Sequence, residues 1–379
     1  MRSKSHITLQ KLKNRIQLPK HARSFILSAL VTICVTATLA GAAVLTSCNN
    51  TLPHNEGEES IVVRVASLKG PTSIGLAYFF EEAGQIYLPD EDTAEASENP
   101  ENPEKPVFPE GPKNSYAFNI YGTADEILPA LTTGEIDIAV LPANVAAVLH
   151  QKTKGGVQVL NINNLGVLYV VSADDSLTSL KDLSNRTVLM VGKGTTPEYV
   201  MNALLEASGA KNVNLEYRSE ATELAAVISS DPTALAVLPE PYVTAVTTKN
   251  PNLAARISLT EAWNEFVPGE SLLVTGVTVV RTEFAEAHPE VVAEFIAHQR
   301  ASVEAVNNNP ARSGRLVETM QIIDNAAIAE KAIPRCNLVC LTGTEMKEAL
   351  EGYLQVLYAQ NPDSIGGALP TDDFYYLKD

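Results

Sequence analysis

The strongest constraint on the fold is an internal recurrence. A strand-like run, Ile61-Val62-Val63-Arg64-Val65-Ala66, ends in the turn Lys69-Gly70-Pro71-Thr72-Ser73, and residues 74–83 then have helical character. Much later Thr187-Val188-Leu189-Met190-Val191 runs into Gly192-Lys193-Gly194-Thr195-Thr196-Pro197 and a helical stretch from Glu198 to Ser208. The likeness continues downstream. Thr123-Ala124-Asp125-Glu126 opens a helix that leads to Ala139-Val140-Leu141-Pro142, and Glu220-Ala221-Thr222-Glu223 leads to Ala236-Val237-Leu238-Pro239. Glu126 to Pro142 and Glu223 to Pro239 are both sixteen residues. Short β-rich runs closed by Gly, Pro and hydroxyl residues, then helical segments, are strand–turn–helix units. Two sets written on one plan predict two α/β lobes of Rossmann-like design.

Matching positions are offset by 124 residues at Gly70/Gly194 but by 97 at Pro142/Pro239, so the first lobe holds an extra 27 residues (124 − 97). The surplus is visible at residues 89–113, where six prolines and eight acidic residues leave almost no apolar content, the composition of a solvated insertion. Strand-like runs at Leu165–Val171 and Ser271–Val280 carry the chain out of lobe one and back again. Residues 61–170 with 277–379 are therefore expected to build lobe one and residues 171–276 lobe two, joined by two hinge crossings. Phe284 to Val306 reads as an amphipathic helix stopped by Asn307-Asn308-Asn309-Pro310.

Ahead of the lobes stands an export signal. Residues 1–47 carry seven basic residues and no acidic ones, and turn apolar from Phe25 to Leu45. The run is long enough to span a bilayer, but it closes on Leu45-Thr46-Ser47-Cys48, small residues before a cysteine. That ending resembles the lipobox of bacterial lipoproteins, in which the thiol is acylated and the chain is cut just before it. Residues 1–47 are then a signal peptide, Cys48 the lipidated first residue, and 48–60 a polar tether. Two or more acyl chains hold a protein stably on a membrane. The expected location is extracytoplasmic, anchored to the bacterial cell membrane.

From Cys48 onward there remain 28 − 7 = 21 Lys and Arg against 45 Asp and Glu, a net charge of −24. A surface so acidic repels phosphate backbones, which excludes nucleic acid as a partner. The 332 residues (379 − 47) suit two domains of ordinary size in a monomer. Cys336 and Cys340 would pair only if their segment turns; in an extended segment they stay free thiols, the favoured reading. His54, His150, His288 and His298 share no spacing with a metal site or a triad, and neither a P-loop nor a Gly-x-Ser-x-Gly elbow is present. No metal, cofactor or catalytic residue is assigned.

Ligands of open α/β sheets sit beyond the carboxyl ends of the strands. Lobe one offers Lys69, Thr72, Ser73, Thr123 and Asn144 there; lobe two offers Gly192, Gly194, Thr195, Thr196, Glu240 and Tyr242. Helix amino-termini present unpaired N–H groups, so a small polar or anionic organic solute is the expected occupant. Each hydroxyl taken singly reads equally as an ordinary N-cap. Glu240, between Pro239 and Pro241, either pairs with a ligand N–H or is solvated.

With lipobox, two lobes and double crossing, the chain resembles the type II solute-binding proteins of nitrate, sulfonate, taurine and thiamine-precursor importers, over roughly residues 61–379. The resemblance rests on Lys69-Gly70-Pro71-Thr72, the Gly-x-Gly-Thr-x-Pro turn at Gly192 and the tail Gly366-Gly367-Ala368-Leu369-Pro370-Thr371-Asp372-Asp373-Phe374-Tyr375-Tyr376. It implies the type II periplasmic binding protein fold and a hinge-closing protein that hands its solute to the permease and ATPase subunits of an ABC importer. Two rivals share parts of this reading: an enzyme of the same fold, of the pyrimidine-precursor synthase or menaquinone-pathway dehydratase type, and a surface lipoprotein outside transport.

Overall fold

Two sheets account for every strand of the described residues. The structure, a computed structural model, describes residues 60–88, 109 and 111–378. The expected signal peptide, Cys48, nearly all of the tether and most of the insertion at 89–113 lie outside them.

The first sheet is built from β1 (Val62–Leu68), β2 (Ser115–Tyr121), β3 (Ile138–Pro142), β4 (Val157–Leu165), β10 (Val274–Arg281) and β11 (Leu338–Leu341), in the order β11-β4-β10-β3-β1-β2. The second holds β5 (Leu168–Ser172), β6 (Thr187–Met190), β7 (Asn214–Tyr217), β8 (Ala236–Pro239) and β9 (Ala254–Ser258), in the order β7-β6-β8-β5-β9. In each sheet a central strand has parallel partners on both sides, β1 with β2 and β3, β6 with β7 and β8. The third parallel strand then meets an antiparallel one, β10 or β5. The two lobes thus repeat one strand order, as the recurrence in the sequence predicts, and their fold is the two-lobed α/β one expected.

Helices follow the parallel strands and cover the sheets. In chain order they are α1 (Pro71–Ile74), α2 (Ala77–Glu82), α3 (Ala124–Thr133), α4 (Ala143–Thr153), α5 (Thr196–Ser208), α6 (Ala221–Ser230), α7 (Tyr242–Lys249) and α8 (Leu259–Phe266). After β10 come α9 (Thr282–Ala287), α10 (Pro289–Asn308), α11 (Pro310–Thr319), α12 (Ala326–Ala332) and α13 (Gly343–Gln360). The helix expected from Phe284 to Val306 is two, because Pro289 lacks the N–H that would continue α9 and instead starts α10. α3 and α5 both end on a glycine in the left-handed region, Gly134 and Gly209, where no Cβ opposes the turn.

The crossings lie a few residues from where the sequence placed them. Leu165 is paired in the first sheet and Leu168 in the second, so the first crossing is Gly166-Val167, and Leu168–Val170 belong to the second sheet. On the return, Val274 pairs with Leu165, so residues 274–276 already lie in the first sheet. The apolar run at 165–171 reads as one strand but is broken at Gly166, where a Cβ would lie 2.4 Å from Thr260 Oγ1 and 2.6 Å from Leu273. Apolar character alone carries no sign of that close approach.

The lobe-one core is aromatic on one face, with Phe79 within 4.8 Å of Tyr116, 5.2 Å of Phe118 and 5.5 Å of Phe295, centroid to centroid. Asp137, 1% exposed, pins the start of β3. Its carboxylate accepts Arg64 Nε at 2.8 Å and Arg281 Nη2 at 3.1 Å, so β1, β3 and β10 share one ionic clamp. Cys336 is buried and Cys340 stands in the extended strand β11, and both are free thiols. Burial pushes Cys336 far up and Cys340 to about 11, which keeps both protonated.

Candidate functional site

Strand direction fixes which edge of each sheet the crossings leave and enter. β4 runs parallel to β3, being antiparallel to their common neighbour β10, so Leu165 leaves the first sheet at the edge where β1, β2 and β3 end. Leu168 pairs with Pro239, so the chain enters the second sheet at the edge where β8 ends. Both sheets therefore present the carboxyl ends of their parallel strands toward the crossings, the position where open α/β sheets hold ligands.

Side chains from both lobes meet there. The Glu240 N–H donates to Val167 O at 3.0 Å, Asn337 Nδ2 to Gly166 O at 2.6 Å, and Tyr169 Oη to Arg335 O at 3.1 Å. Glu240, 1% exposed, accepts the Thr244 N–H at 3.1 Å on Oε2 and faces Arg335 Nη1 at 3.6 Å on Oε1, an ion pair from lobe two to lobe one. Burial raises the Glu240 carboxyl, against the opposing pull of Thr244 and Arg335. Burial together with the charge of Glu240 pushes Tyr169 up to about 12. A second bridge runs from Asn361 Nδ2 to Tyr199 Oη at 2.8 Å, joining the end of α13 to α5.

Most candidate residues stand at these strand ends, in several different roles. Lys69 has an exposed side chain, and its backbone N–H donates to Tyr121 O at 3.0 Å. Thr72 is half-buried, its methyl packed over Gly276, where a Cβ would lie 2.6 Å from it. Ser73 is fully buried, and its hydroxyl is held by Ser67 at 2.7 Å and by Leu68 O. Thr123 caps α3 through Glu126, whose carboxylate accepts the Thr123 N–H at 3.1 Å. Asn144 reaches Ser364 O at 3.3 Å, and Tyr242 packs half-buried in the lobe-two core.

The glycine turn of lobe two is closed on itself. Thr195 Oγ1 donates to Gly192 O at 2.6 Å, the Gly194 N–H donates to Glu198 Oε2, and Tyr199 Oη donates to Gly194 O at 2.9 Å. Thr196 contacts Tyr353 of α13. Glu198 Oε1 accepts Tyr217 Oη at 2.7 Å, and the Gly194 N–H, then Tyr217 and Lys193, hold the Glu198 carboxyl below its ordinary value. Beside the turn a cavity of about 450 Å³ is lined by Gly192, Lys193, Tyr217, Arg218, Ser219 and Glu223.

Sequence reasoning missed Asn163, Arg335, Glu198, Tyr199 and Asn361. Asn163 is 3% exposed beside Thr72 and Gly276; its Nδ2 donates to Thr278 Oγ1 at 3.1 Å, and its Oδ1 has no hydrogen-bond partner among the described residues. The spacing Thr195-x-x-Glu198 is that of a capping box and was the available signal for Glu198. No spacing signals Asn361, which lies 162 residues from Tyr199.

Residues 119–313, which are 195 of the 379 (313 − 119 + 1), match the family model described as NMT1/THI5 like. No curated protein matches the chain. Among solved structures, an ABC transporter from Parabacteroides distasonis is 24% identical, with 84% of this chain and 99% of that one covered at a TM-score of 0.66. The periplasmic aliphatic sulphonate binding protein SsuA of Escherichia coli is 12% identical, with 81% and 90% covered and a TM-score of 0.60. The alkanesulfonate-binding protein SsuA of Xanthomonas axonopodis pv. citri, bound to MOPS, is 14% identical, with 82% and 94% covered and a TM-score of 0.52. These likenesses place the fold among periplasmic binding proteins.

Proposed function

We infer the function from one premise: this chain belongs to the NMT1/THI5-like family. It is the solute-binding subunit of an ABC importer. The observation that carries this is the facing of two like sheets by the carboxyl edges of their parallel strands, with two short crossings between them. Such an arrangement encloses a small molecule by bending at the crossings, and a ligand stabilises the closed form only by touching both sides.

The residues at the edges support binding rather than catalysis. Glu198 is spent on the Gly194 N–H and the Tyr217 hydroxyl, and one oxygen of Glu240 on the Thr244 N–H. The candidates that remain to touch a solute are Lys69 and Thr72 from lobe one and the Gly194–Thr196 turn, Glu240 and Tyr242 from lobe two. The partners are a permease and its ATPase, the chain acts as a monomer, and Cys48 carries the lipid that holds it outside the cytoplasmic membrane.

Native mass spectrometry of the freshly purified chain tests the capture reading. A co-purified small molecule, released on denaturation, is the expected result, and a chain that carries none and binds none refutes it. A fatty-acid probe tests the anchor. Labelling that survives in Cys48→Ala would overturn the assignment of Cys48.

A further inference from the structure

At four helices that begin where a parallel strand has just ended, a carboxylate of this chain accepts one backbone N–H at or just ahead of the helix start. Glu126 serves α3, Glu198 serves α5, Glu223 accepts the Ser219 N–H at 3.3 Å ahead of α6, and Glu240 serves α7. A helix amino-terminus attracts an anion because its N–H groups and dipole are unanswered. Here the Thr244 N–H of α7 is answered, and at α3, α5 and α6 a carboxylate stands beside the helix start. Three of the nearby cations are committed as well: Lys193 lies over the Tyr217 ring at 5.7 Å, Arg218 lies within 3.9 Å of Glu216 and 3.8 Å of Glu223, and Arg335 faces Glu240, while the Lys69 side chain is exposed.

What the junction lacks is hydrogen-bond donors. Glu240 Oε1 and the side-chain oxygens of Asn161, Asn163 and Asn164 are buried without a hydrogen bond among the described residues. A buried oxygen without a hydrogen bond destabilises the fold until a donor reaches it. Asn161 lies under α10, held to Gln299 at 2.8 Å, whereas Asn163 lies against Thr72 at the strand end. Glu240 Oε1 has a guanidinium in front of it, at 3.6 Å and outside hydrogen-bond range, on a side chain that is 45% exposed.

We propose that the captured solute is a cation, a protonated amine or an amidinium, whose N–H groups go to Glu240 Oε1 on lobe two and Asn163 Oδ1 on lobe one. This rests on the solute-capture reading and replaces the polar or anionic occupant expected from the helix termini. Arg335 marks the place of the charge, and the solute displaces it. An anion would bring further acceptors to a junction that already has them in excess, beside a chain whose net charge is strongly negative.

The test combines native mass spectrometry of the co-purified solute with thermal-shift titration of the full chain in detergent. The titration compares benzylamine, benzamidine and agmatine with benzenesulfonate, benzoate and ethanesulfonate. The expected result is a cationic co-purified solute, or stabilisation by members of the amine set alone. Glu240→Gln should weaken that binding by about tenfold or more, as loss of a charge-assisted hydrogen bond does. Asn163→Ala should weaken it less, and Arg335→Gln should leave it intact or tighter. The unliganded melting temperature of each variant shows whether it has folded. An anionic co-purified solute, or stabilisation by the anions that survives Glu240→Gln, overturns the proposal and leaves solute capture standing. Absence of any bound solute and of any stabilisation overturns both.

Discussion

Asp137 shows how much one buried acid does in this chain. Burial alone would raise its carboxyl, but hydrogen bonds from the Arg64 side chain and backbone, and from Arg281, hold it below the ordinary value of 3.8. A depressed folded value means the contribution to stability is fully present above the unfolded value and is lost as pH falls through the folded one. Asp137→Asn should therefore cost about 3 kcal/mol near neutral pH, because it leaves two arginines facing a neutral amide in a buried clamp. The gap between variant and parent should narrow as the pH drops below 3.8. Urea denaturation at neutral and at acid pH checks both; an equal gap at the two would show that the loss is packing and not charge. Arg64, Asp137 and Arg281 are 73 and 144 residues apart in their pairings, so no local pattern announces the clamp.

At the scale of elements, what was legible is what local chemistry decides. β1 and β6 each run apolar into a Gly-containing turn, and α3 and α5 each open on a threonine followed three residues later by glutamate. Pattern and turn residues suffice for the repeat, and hence for two lobes built on one plan. The role of the turns was less legible, because capping and ligand binding ask for the same hydroxyls and N–H groups. Only the structure shows the Gly194 N–H already taken by Glu198. β10 is the other element whose meaning is non-local. Gly276 lies under Thr72 and Asn163, and an added Cβ would lie 2.6 Å from the side chains of both. Gly276→Ala should destabilise the chain by about 1–3 kcal/mol through overpacking. It should also weaken solute binding by shifting the two residues. Thr72→Ser, which removes the methyl in the way, should restore part of the stability in the double variant. Chemical denaturation of the three variants decides; no rescue would place the strain at Asn163.

For the whole molecule the question is what holds one lobe to the other. Gly166-Val167 and residues 267–273 carry the chain across, and side-chain bridges flank them, Arg335 with Glu240 and Asn361 with Tyr199. Among the described residues no helix is long and apolar enough to cross a membrane. The Asn361 bridge differs from the Arg335 pair in its connection to the glycine turn: the Tyr199 hydroxyl that accepts from Asn361 also donates to Gly194 O. Asn361 is thereby tied to the shape of the glycine turn. Tyr199→Phe deletes both hydrogen bonds while keeping the ring, and should shift the lobes toward the open form at a cost of about 0.5–1.5 kcal/mol per bond. Solution scattering should then show a larger radius of gyration for the unliganded variant than for the parent. The difference should close on saturation with the co-purified solute, at a higher solute concentration. A radius that neither the substitution nor the solute changes would mean that the crossings do not act as a hinge. The solute would then enter by motion of the turns alone.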